Sequence, residues 1–308
     1  MALYDVPAPA KINLFLHVTG RRDDGYHLLQ TAFRFIGLYD TLDFDLRDDG
    51  QIVREGEQIA GLAADDDLVV RAARALQDAT GTKRGAQIRY TKTIPSGGGL
   101  GGGSSDAAST LIALNRLWQT NLSRSDLMRL GLALGADVPV FIHGQPAFAE
   151  GIGEVLTPVE LPERAYVVVQ PTQNVPTQGV FSSPDLTRDS PSVTISVFTD
   201  WHTISATENG NVVAGFFGRN DLESVVLAKY PKVGAAAAWL ARQGLNARMT
   251  GSGACFFVEF VTIEQAAVCQ QQIIGRMLNR ENDDAAVIQN AWACPGLFEH
   301  PLRHWTSS

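Results

Sequence analysis

Apolar and polar residues alternate along the first part of the chain, which is the pattern of a β-strand. From Ala10 to Val18 the alternation places Ile12, Leu14, Leu16 and Val18 on one face and Lys11, Asn13, Phe15 and His17 on the other. A second extended stretch is predicted from Tyr26 to Ile36, after turn residues at Arg21 to Gly25, and a third where residues 41–46 alternate. The chain therefore opens with a sheet of antiparallel character.

Helical spacing follows this sheet. Asp66 or Asp67 can cap a helix whose apolar stripe is formed by Leu68, Val69, Ala72, Ala73 and Leu76. A strand is predicted from Ala86 to Lys92, and a second amphipathic helix carries Ala107, Ala108, Leu111, Ile112, Leu114 and Trp118. The pattern Ser123-x-x-Asp126 begins a third helix, which Gly135 is placed to end, and residues 137–142 are predicted to run extended.

The pattern changes near residue 160, where Pro158 and Pro162 bracket a break. A length of 308 residues suits two domains, which we predict at 1–160 and 161–308. In the second half, a β-branched strand is predicted at Tyr166 to Val169, followed by a polar excursion with little regular structure from Ser182 to Asn211. A helix near 234–243, a strand near 256–260 and a helix near 264–278 complete the predicted elements.

Composition and charge restrict the possible functions. Lys and Arg number 25 against 33 Asp and Glu, and the formal net charge of −8 argues against a broad nucleic-acid footprint. Three well-separated cysteines lack the spacing of a zinc site or a disulfide framework, so reduced, structural thiols are expected. No apolar run approaches the roughly 20 residues of a membrane span. A soluble cytoplasmic protein that binds neither membrane nor nucleic acid is predicted.

A glycine-rich loop is the strongest chemical signal in the chain. Six glycines occur within the seven residues 97–103, between the predicted strand and the second helix. Glycine permits positive φ and lets backbone N–H groups approach a ligand, while Ser104 and Ser105 add hydroxyl groups where the helix begins. A helix N-terminus behind such a loop favours anions.

Three other interpretations of this loop are weaker. A nucleotide loop of the Walker type needs a Gly-Lys-Ser/Thr ending, whereas these glycines are followed by Ser104-Ser105-Asp106. A dinucleotide fingerprint matches a glycine run almost automatically, and the preceding strand alternates, unlike a buried parallel strand. A flexible linker is opposed by Pro95 before the loop and a well-formed amphipathic helix after it.

The loop from Pro95 to Ala108 resembles the ATP loop of the superfamily that contains galactokinase, homoserine kinase, mevalonate kinase and phosphomevalonate kinase. Pro9 to Leu14 is similar to the N-terminal strand motif of that superfamily, and Met249 to Cys255 to its C-terminal glycine motif. Gly25-Tyr26-His27 and the segment from Gly135 to Phe141 resemble the branch whose substrate is a methylerythritol carrying a cytidine diphosphate, an isoprenoid precursor. The likeness spans roughly residues 5–280, and the tail beyond it matches no motif.

The resemblance implies an α+β fold with an N-terminal domain like ribosomal S5 domain 2 and a ferredoxin-like C-terminal domain, with the active site in the cleft between them. It implies transfer of the γ-phosphoryl group of ATP, with Mg²⁺, to the 2-hydroxyl of a small-molecule substrate. Lys11 and Asp137 are the implied catalytic residues. The implied ATP-binding residues are Pro95, Ser96, Gly97, Gly98, Gly99, Leu100, Gly101, Gly102, Gly103, Ser104, Ser105, Asp67 and Lys92. The implied substrate-binding residues are Asn13, Tyr26, His27, Thr177 and Phe181, with Tyr26 and Phe181 stacking on the base.

Read without the resemblance, several of these residues have simpler roles. Asp137 and Asp67 could each cap a helix, and Lys11 could be a solvated strand residue. Tyr26 and Phe181 could belong to a hydrophobic core. A lone carboxylate among apolar residues needs a partner, however, and Lys11 and Asn13 share one strand face. The alternatives are a sister kinase for mevalonate or homoserine, a non-catalytic nucleotide sensor, and an RNA-binding protein, which the net charge disfavours. Monomer and homodimer both stay open, and no dedicated metal site is predicted.

Overall fold

A computed structural model describes residues 1–56, 66–208, 215–278 and 286–307. Within these ranges the chain forms ten strands and nine helices. The strands are β1 (Ala2–Arg21), β2 (His27–Arg47), β3 (Ile52–Arg54), β4 (Gly85–Thr91), β5 (Ala147–Glu150), β6 (Val155–Pro158), β7 (Ala165–Pro171), β8 (Ala247–Met249), β9 (Phe256–Phe260) and β10 (Ile288–Leu297). The helices are α1 (Leu68–Thr80), α2 (Gly102–Leu117), α3 (Arg124–Leu134), α4 (Val138–His143), α5 (Thr177–Phe181), α6 (Ile195–Glu208), α7 (Glu223–Lys229), α8 (Pro231–Arg242) and α9 (Ile263–Leu278).

The strands form one continuous mixed sheet in the order β3-β4-β2-β10-β7-β9-β8. The long strand β2 also pairs with β1 and β5, and β5 pairs with β6. All pairings are antiparallel except that of β3 with β4, which confirms the antiparallel character predicted for the opening sheet. Helices and strands together give the α+β class that was expected.

The opening hairpin is longer than its sequence pattern indicated, and β2 joins the two predicted extended stretches into one strand. The prediction of two dissimilar faces on β1 is wrong, because residues 8–18 are buried throughout. Phe15, assigned to the polar face, packs in the same apolar cluster as Ile12 and Leu14. The pairing register shifts between Asn13 and Leu16, and such an irregularity changes the face on which the following side chains lie.

The predicted caps of α1 and α3 are confirmed. Asp67 accepts a hydrogen bond from the Val69 N–H at 2.9 Å and caps α1. Ser123 and Asp126 form the reciprocal capping box of α3, and Gly135 ends that helix. These interactions are local in sequence, and a local pattern suffices to predict them.

The segment after Asp137 forms the short helix α4, so the prediction of an extended run over 137–142 is wrong. Residues 138–142 are all buried, and a short apolar run has no periodicity that separates a strand from a buried helix. Pro139 lies in the first turn, where a missing N–H costs nothing. Gly144, at φ 78°, closes the helix by donating its N–H to the Val140 carbonyl at 3.0 Å.

The polar stretch after α5 is also more ordered than predicted. α6 occupies residues 195–208 of the segment expected to lack regular structure, whereas 209–211 lie outside the described residues. Phe198 is fully buried, with its ring centroid 5.5 Å from that of Phe15. One buried aromatic residue anchors this helix on the sheet, although the polar composition of the segment suggested a surface loop.

The other predicted elements of the second half are confirmed as β7, α8, β9 and α9. The three cysteines are unpaired and buried, as expected for structural thiols. Burial raises the pKa of both Cys255 and Cys294 to about 12. None of the helices in the described ranges combines the length and apolar character needed to cross a bilayer.

The C-terminal residues connect the two halves of the molecule. β10 pairs with β7 along most of its length and with β2 at Gly296 and Leu297. Beyond β10, His300 is completely buried, donates its backbone N–H to the Gly144 carbonyl at 2.9 Å and contacts the Phe35 ring edge-on. Burial lowers the pKa of His300 to about 3, so its ring is neutral at pH 7. The tail therefore packs against the end of α4.

Candidate active site

One cleft of about 1020 Å³ contains most of the residues that the resemblance implied. It is lined by the glycine loop, by side chains from β1 and the start of β2, and by α5 and the loop after β8. The predicted site residues on its wall are Lys11, Asn13, Tyr26, His27, Lys92, Pro95, Ser96, Gly97, Gly98, Gly99, Leu100, Gly101, Gly102, Gly103, Ser104, Asp137, Thr177 and Phe181.

The carbonyl groups of the glycine loop are bonded to the protein. The Leu100 carbonyl accepts from the Lys11 N–H at 3.0 Å, and those of Gly97 and Gly98 accept from the N–H groups of Ala254 and Cys255 at 3.0 and 3.1 Å. Gly97, Gly99 and Gly101 have φ between 68° and 73°, a region open to glycine at little cost. The loop is thus held against β1 and the residues just before β9 by its carbonyl oxygen atoms, which would repel a phosphate.

Lys11, Asn13 and Asp137 meet on the cleft wall. The Lys11 ammonium is buried; it donates to Asn13 Oδ1 at 2.6 Å and lies 3.3 Å from Asp137 Oδ2. Asp137 occupies the N-cap position of α4, yet its side chain makes no capping hydrogen bond. A helix cap therefore does not account for this carboxylate, which instead pairs with a cation and retains 36% exposure of its side chain to the cleft.

A second charged cluster supports the start of the glycine loop. Lys92 forms ion pairs with Asp40 and with Asp106, and Asp40 also accepts hydrogen bonds from the backbone N–H groups of Thr93 and Ile94 at 2.6 and 2.9 Å. Burial, reinforced by Asp40, raises the pKa of Asp106 to about 7 against the opposing effect of Lys92. Because Asp40 is fully buried, it fixes the chain just before Pro95.

Two residues expected at the nucleotide site lie behind the cleft wall. Asp67 accepts a hydrogen bond from the Tyr90 hydroxyl at 2.7 Å and pairs with Arg54 at 3.2 Å, in addition to capping α1. Ser105 is fully buried and donates to the Pro9 carbonyl at 2.7 Å. Both side chains have structural partners, and their role in nucleotide binding stays a prediction.

Aromatic side chains line another part of the cleft. The rings of His27 and Phe181 lie 5.2 Å apart at an interplanar angle of 37°, while the nearby Tyr26 side chain is 59% exposed. Thr177 begins α5, and its hydroxyl is 2.7 Å from that of Ser252 in the loop after β8. Rings with open faces of this kind can stack on a planar ligand.

Sequence reasoning missed several residues that shape the cleft. Thr250 accepts the Asn13 N–H at 2.9 Å and so joins the loop after β8 to β1. Asp40 and Arg188 hold the glycine loop and the aromatic rings, respectively. Asp40 shares β2 with Asp43 and other polar residues, so the local pattern does not single it out, and the N–H groups that it binds lie 53 and 54 positions away along the chain.

The family profiles that match this chain are those of the GHMP kinases. The N-terminal domain profile matches residues 67–145 and the C-terminal profile matches residues 208–296. A solved homoserine kinase from Cytophaga hutchinsonii superimposes with a TM-score of 0.65 at 17% identity, covering 97% of this chain and 95% of that one. Fold, glycine loop and cleft together define a kinase of the GHMP class.

More similar relatives place the chain within that class. It is 59% identical to 4-diphosphocytidyl-2-C-methyl-D-erythritol kinase of Bordetella parapertussis over all of both chains, and 52% identical to that of an Azoarcus species, covering 96% of this chain and 95% of the relative. A crystal structure of 4-(cytidine 5'-diphospho)-2C-methyl-D-erythritol kinase superimposes with a TM-score of 0.75 at 31% identity, covering 96% and 99% of the two chains. The chain belongs to the family of 4-diphosphocytidyl-2-C-methyl-D-erythritol kinases.

Proposed function

We propose that the protein transfers the γ-phosphoryl group of ATP to the 2-hydroxyl of 4-diphosphocytidyl-2-C-methyl-D-erythritol, a step of isoprenoid precursor synthesis. The observation that carries this proposal is the Lys11–Asp137 pair, 3.3 Å apart, in one cleft with the glycine loop and the aromatic rings. A single cavity therefore offers the glycine loop to a nucleotide, the Lys11–Asp137 pair to an acceptor alcohol and the aromatic rings to a nucleobase. Kinases of this class take the phosphoryl group from ATP.

Asp137 is the proposed general base. A tertiary alcohol is a weak nucleophile, and a carboxylate within hydrogen-bond reach can orient it and accept its proton as the P–O bond forms. The Lys11 ammonium lies 3.3 Å from Asp137 Oδ2, and it can offset charge on the transferring phosphoryl group. Asn13 holds Lys11 in place, because its Oδ1 accepts from the ammonium while its Nδ2 donates to Thr31.

The glycine loop is the proposed phosphate cradle. The carbonyl groups of Gly97, Gly98 and Leu100 are committed to backbone donors, which leaves the N–H groups of the loop to meet an anion. Lys92, on the cleft wall beside the loop, contributes an ammonium group that is also paired with Asp40 and Asp106. We assign the residues from Pro95 to Ser105, together with Lys92 and Asp67, to ATP binding.

Magnesium is the proposed metal of the reaction, as the partner of ATP. No three His, Cys, Asp or Glu side chains among the described residues come together as a metal-binding group. Mg²⁺ in kinases is held largely by substrate phosphates and water, with one or two protein oxygens. The Ser104 hydroxyl at the cleft wall fits this limited contribution. When bound, the ion would neutralise phosphate charge.

The aromatic end of the cleft is the proposed cytidine subsite. Tyr26 and Phe181 would stack on cytosine, His27 would hydrogen-bond its edge, and Thr177 would contact the diphosphate. Stacking on an aromatic side chain contributes about 1–3 kcal/mol per base. Binding energy from this remote base can hold the reacting hydroxyl near Asp137.

We further propose that residues 1–160 form a domain like ribosomal S5 domain 2, residues 161–308 a ferredoxin-like domain, and the cleft between them the active site. Two apolar clusters support this division, one built mainly on α1–α4 and one mainly on α7–α9, with the tail after Leu297 packed against the first. A third cluster joins the halves, because it contains Ile12 and Phe15 as well as Tyr166 and Phe257. We expect a cytoplasmic monomer or homodimer whose partners are small molecules rather than nucleic acid or membrane.

A coupled assay of ADP release tests the proposed function. The enzyme is offered ATP with the cytidyl substrate, mevalonate or homoserine, and turnover of the cytidyl substrate alone is expected. Turnover of mevalonate or homoserine instead would assign the protein to a sister activity. Nucleotide binding without turnover of any acceptor would favour a sensor and contradict the proposal.

A further inference from the structure

Arg188 links His27 and Phe181, two residues of the proposed cytidine subsite, by hydrogen bonds to the His27 ring and the Phe181 backbone. Its Nε–H donates to His27 Nε2 at 3.1 Å, and its Nη2 donates to the carbonyls of Phe181 and Ser183 at 3.2 and 2.6 Å. A further bond runs from Nη1 to the Leu186 carbonyl at 3.0 Å. Four acceptors thus hold the guanidinium in one orientation against His27.

This contact determines where the proton of His27 resides. A guanidinium has only donors and stays charged, so the nitrogen that it contacts must accept. Nε2 of a neutral imidazole accepts only when the proton is on Nδ1. Burial lowers the pKa of His27, and the positive charges of Arg188 and Arg21 lower it further, so the ring is neutral at pH 7.

The Nδ1–H tautomer gives the His27 ring one donor for a ligand. The ring lines the cleft beside Phe181, where the base is proposed to stack. Ring nitrogen N3 of cytosine is an acceptor, whereas N3 of uracil carries a hydrogen and is a donor. An N–H donor that faces N3 can therefore hydrogen-bond cytosine but not uracil. With uracil, two donors would face each other and neither would have an acceptor.

We propose that Arg188 is a specificity-determining positioning residue, which holds His27 in the Nδ1–H tautomer and thereby selects cytosine over uracil. The choice of base rests on the proposed function, whereas the tautomer rests only on the contact between Arg188 and His27. The two parts can therefore be tested separately.

Nitrogen-15 NMR of histidine-labelled protein reads the tautomer directly. The His27 signals are assigned by their loss in His27→Gln, and the unaltered protein is expected to show a protonated Nδ1 and an unprotonated Nε2. Arg188→Met should lose this pattern and show substantial protonation of Nε2. Arg21→Met is the matched control, because it also removes a positive charge near His27. The Nε–H of Arg21 donates to the Gly25 carbonyl and not to His27, so this variant should keep the Nδ1–H pattern.

The unaltered protein alone can overturn the assignment, so the test does not depend on whether Arg188→Met folds. A protonated Nε2 in the unaltered protein would refute the tautomer. An unchanged Nδ1–H pattern in folded Arg188→Met would refute the role of Arg188.

Steady-state kinetics test the consequence for specificity. The ratio of kcat/KM for the cytidyl substrate to that for its uridyl analogue should fall about tenfold or more in Arg188→Met, on the scale of one unpaired buried polar group. The KM for ATP should change little. An unchanged ratio would contradict the specificity role. Failure of the unaltered enzyme to use the cytidyl substrate would refute the proposed function, while the NMR result would still decide the tautomer.

Discussion

Adding a single methyl group at Gly99 should separate the glycine loop from the loop that follows β8. A Cβ at this position would lie 2.1 Å from the Thr250 carbonyl oxygen and 3.1 Å from the Gly253 nitrogen. Both neighbours are backbone atoms, so no side-chain rotation can relieve the overlap. The two loops must move apart until the closest distance approaches the 3.4 Å of ordinary contact.

The size of the effect follows from the interactions that this movement disturbs. Gly99 has φ 73°, and an L-residue in the left-handed region costs about 1–2 kcal/mol. The hydrogen bonds that Gly97 and Gly98 accept from Ala254 and Cys255 span the same gap, and each contributes about 0.5–1.5 kcal/mol. We therefore expect Gly99→Ala to lower the free energy of unfolding by about 2–5 kcal/mol.

Catalysis should suffer as well, because a displacement near 1 Å can cost about 10²-fold in rate when it moves groups that position a substrate. We expect kcat/KM for ATP to fall by about that factor. Gly81→Ala is the matched control: Gly81 has φ 66° at the end of α1, and a Cβ there has no neighbour among the described residues within 4 Å. This variant therefore places an L-residue at positive φ without any steric overlap of the added Cβ.

Urea unfolding and steady-state kinetics on both variants separate the two contributions. Gly81→Ala should lose only about 1–2 kcal/mol of stability and keep the wild-type kcat/KM for ATP. If Gly99→Ala keeps wild-type ATP kinetics, or if Gly81→Ala impairs them equally, the coupling between the loops is not what holds the nucleotide site.

Three further predictions concern single side chains. Asp137→Asn should lower kcat by about 10² or more while equilibrium binding of ATP persists, since general-base contributions run about 10²–10⁴; full activity would remove Asp137 from the base role. Tyr26→Ala should lose about 1–3 kcal/mol in kcat/KM for the cytidyl substrate with the KM for ATP unchanged, and indifference to the substitution would remove Tyr26 from the base site. Asp106 has a pKa raised to about 7, so its protonated form is favoured in the folded state and its contribution to stability is lost as pH rises from about 4 towards 7. Asp106→Asn should remove this loss, leaving Lys92 paired with Asp40. Urea unfolding at pH 5 and pH 8 checks whether the free energy of unfolding of the variant, relative to wild type, is higher at pH 8 than at pH 5.

Local patterns predicted much of the N-terminal half because the interactions that form it are local. The cap of α1 by Asp67 and the capping box of α3 each involve residues two or three positions apart. The glycine run before α2 likewise marks a loop by composition alone. Each of these elements needs only its own segment of sequence to be recognised.

The site could not be predicted in this way, because its contacts join distant segments. Lys11 and Asp137 are far apart along the chain, and neither residue type specifies the other; only the resemblance to a kinase superfamily brought them together. Arg188 was missed for the same reason. It lies in a polar segment whose composition indicates a surface loop, and its partner His27 is 161 positions away.

The incorrect prediction for residues 138–142 concerns the part of the fold that positions Asp137. In an extended strand, Asp137 would be one of several alternating side chains; as the first residue before α4, it is followed by a turn that is buried on all sides. Phe141 packs from this turn towards Gly101, where an added Cβ would lie 3.0 Å from the ring, and His300 of the tail packs on the other side of the cluster against Phe35. The carboxylate is therefore held by a buried helix between the glycine loop and the C-terminal tail. Because close-packed interiors resist displacement, a short helix in this setting can hold the proposed base in place against the phosphoryl acceptor more firmly than a surface strand would.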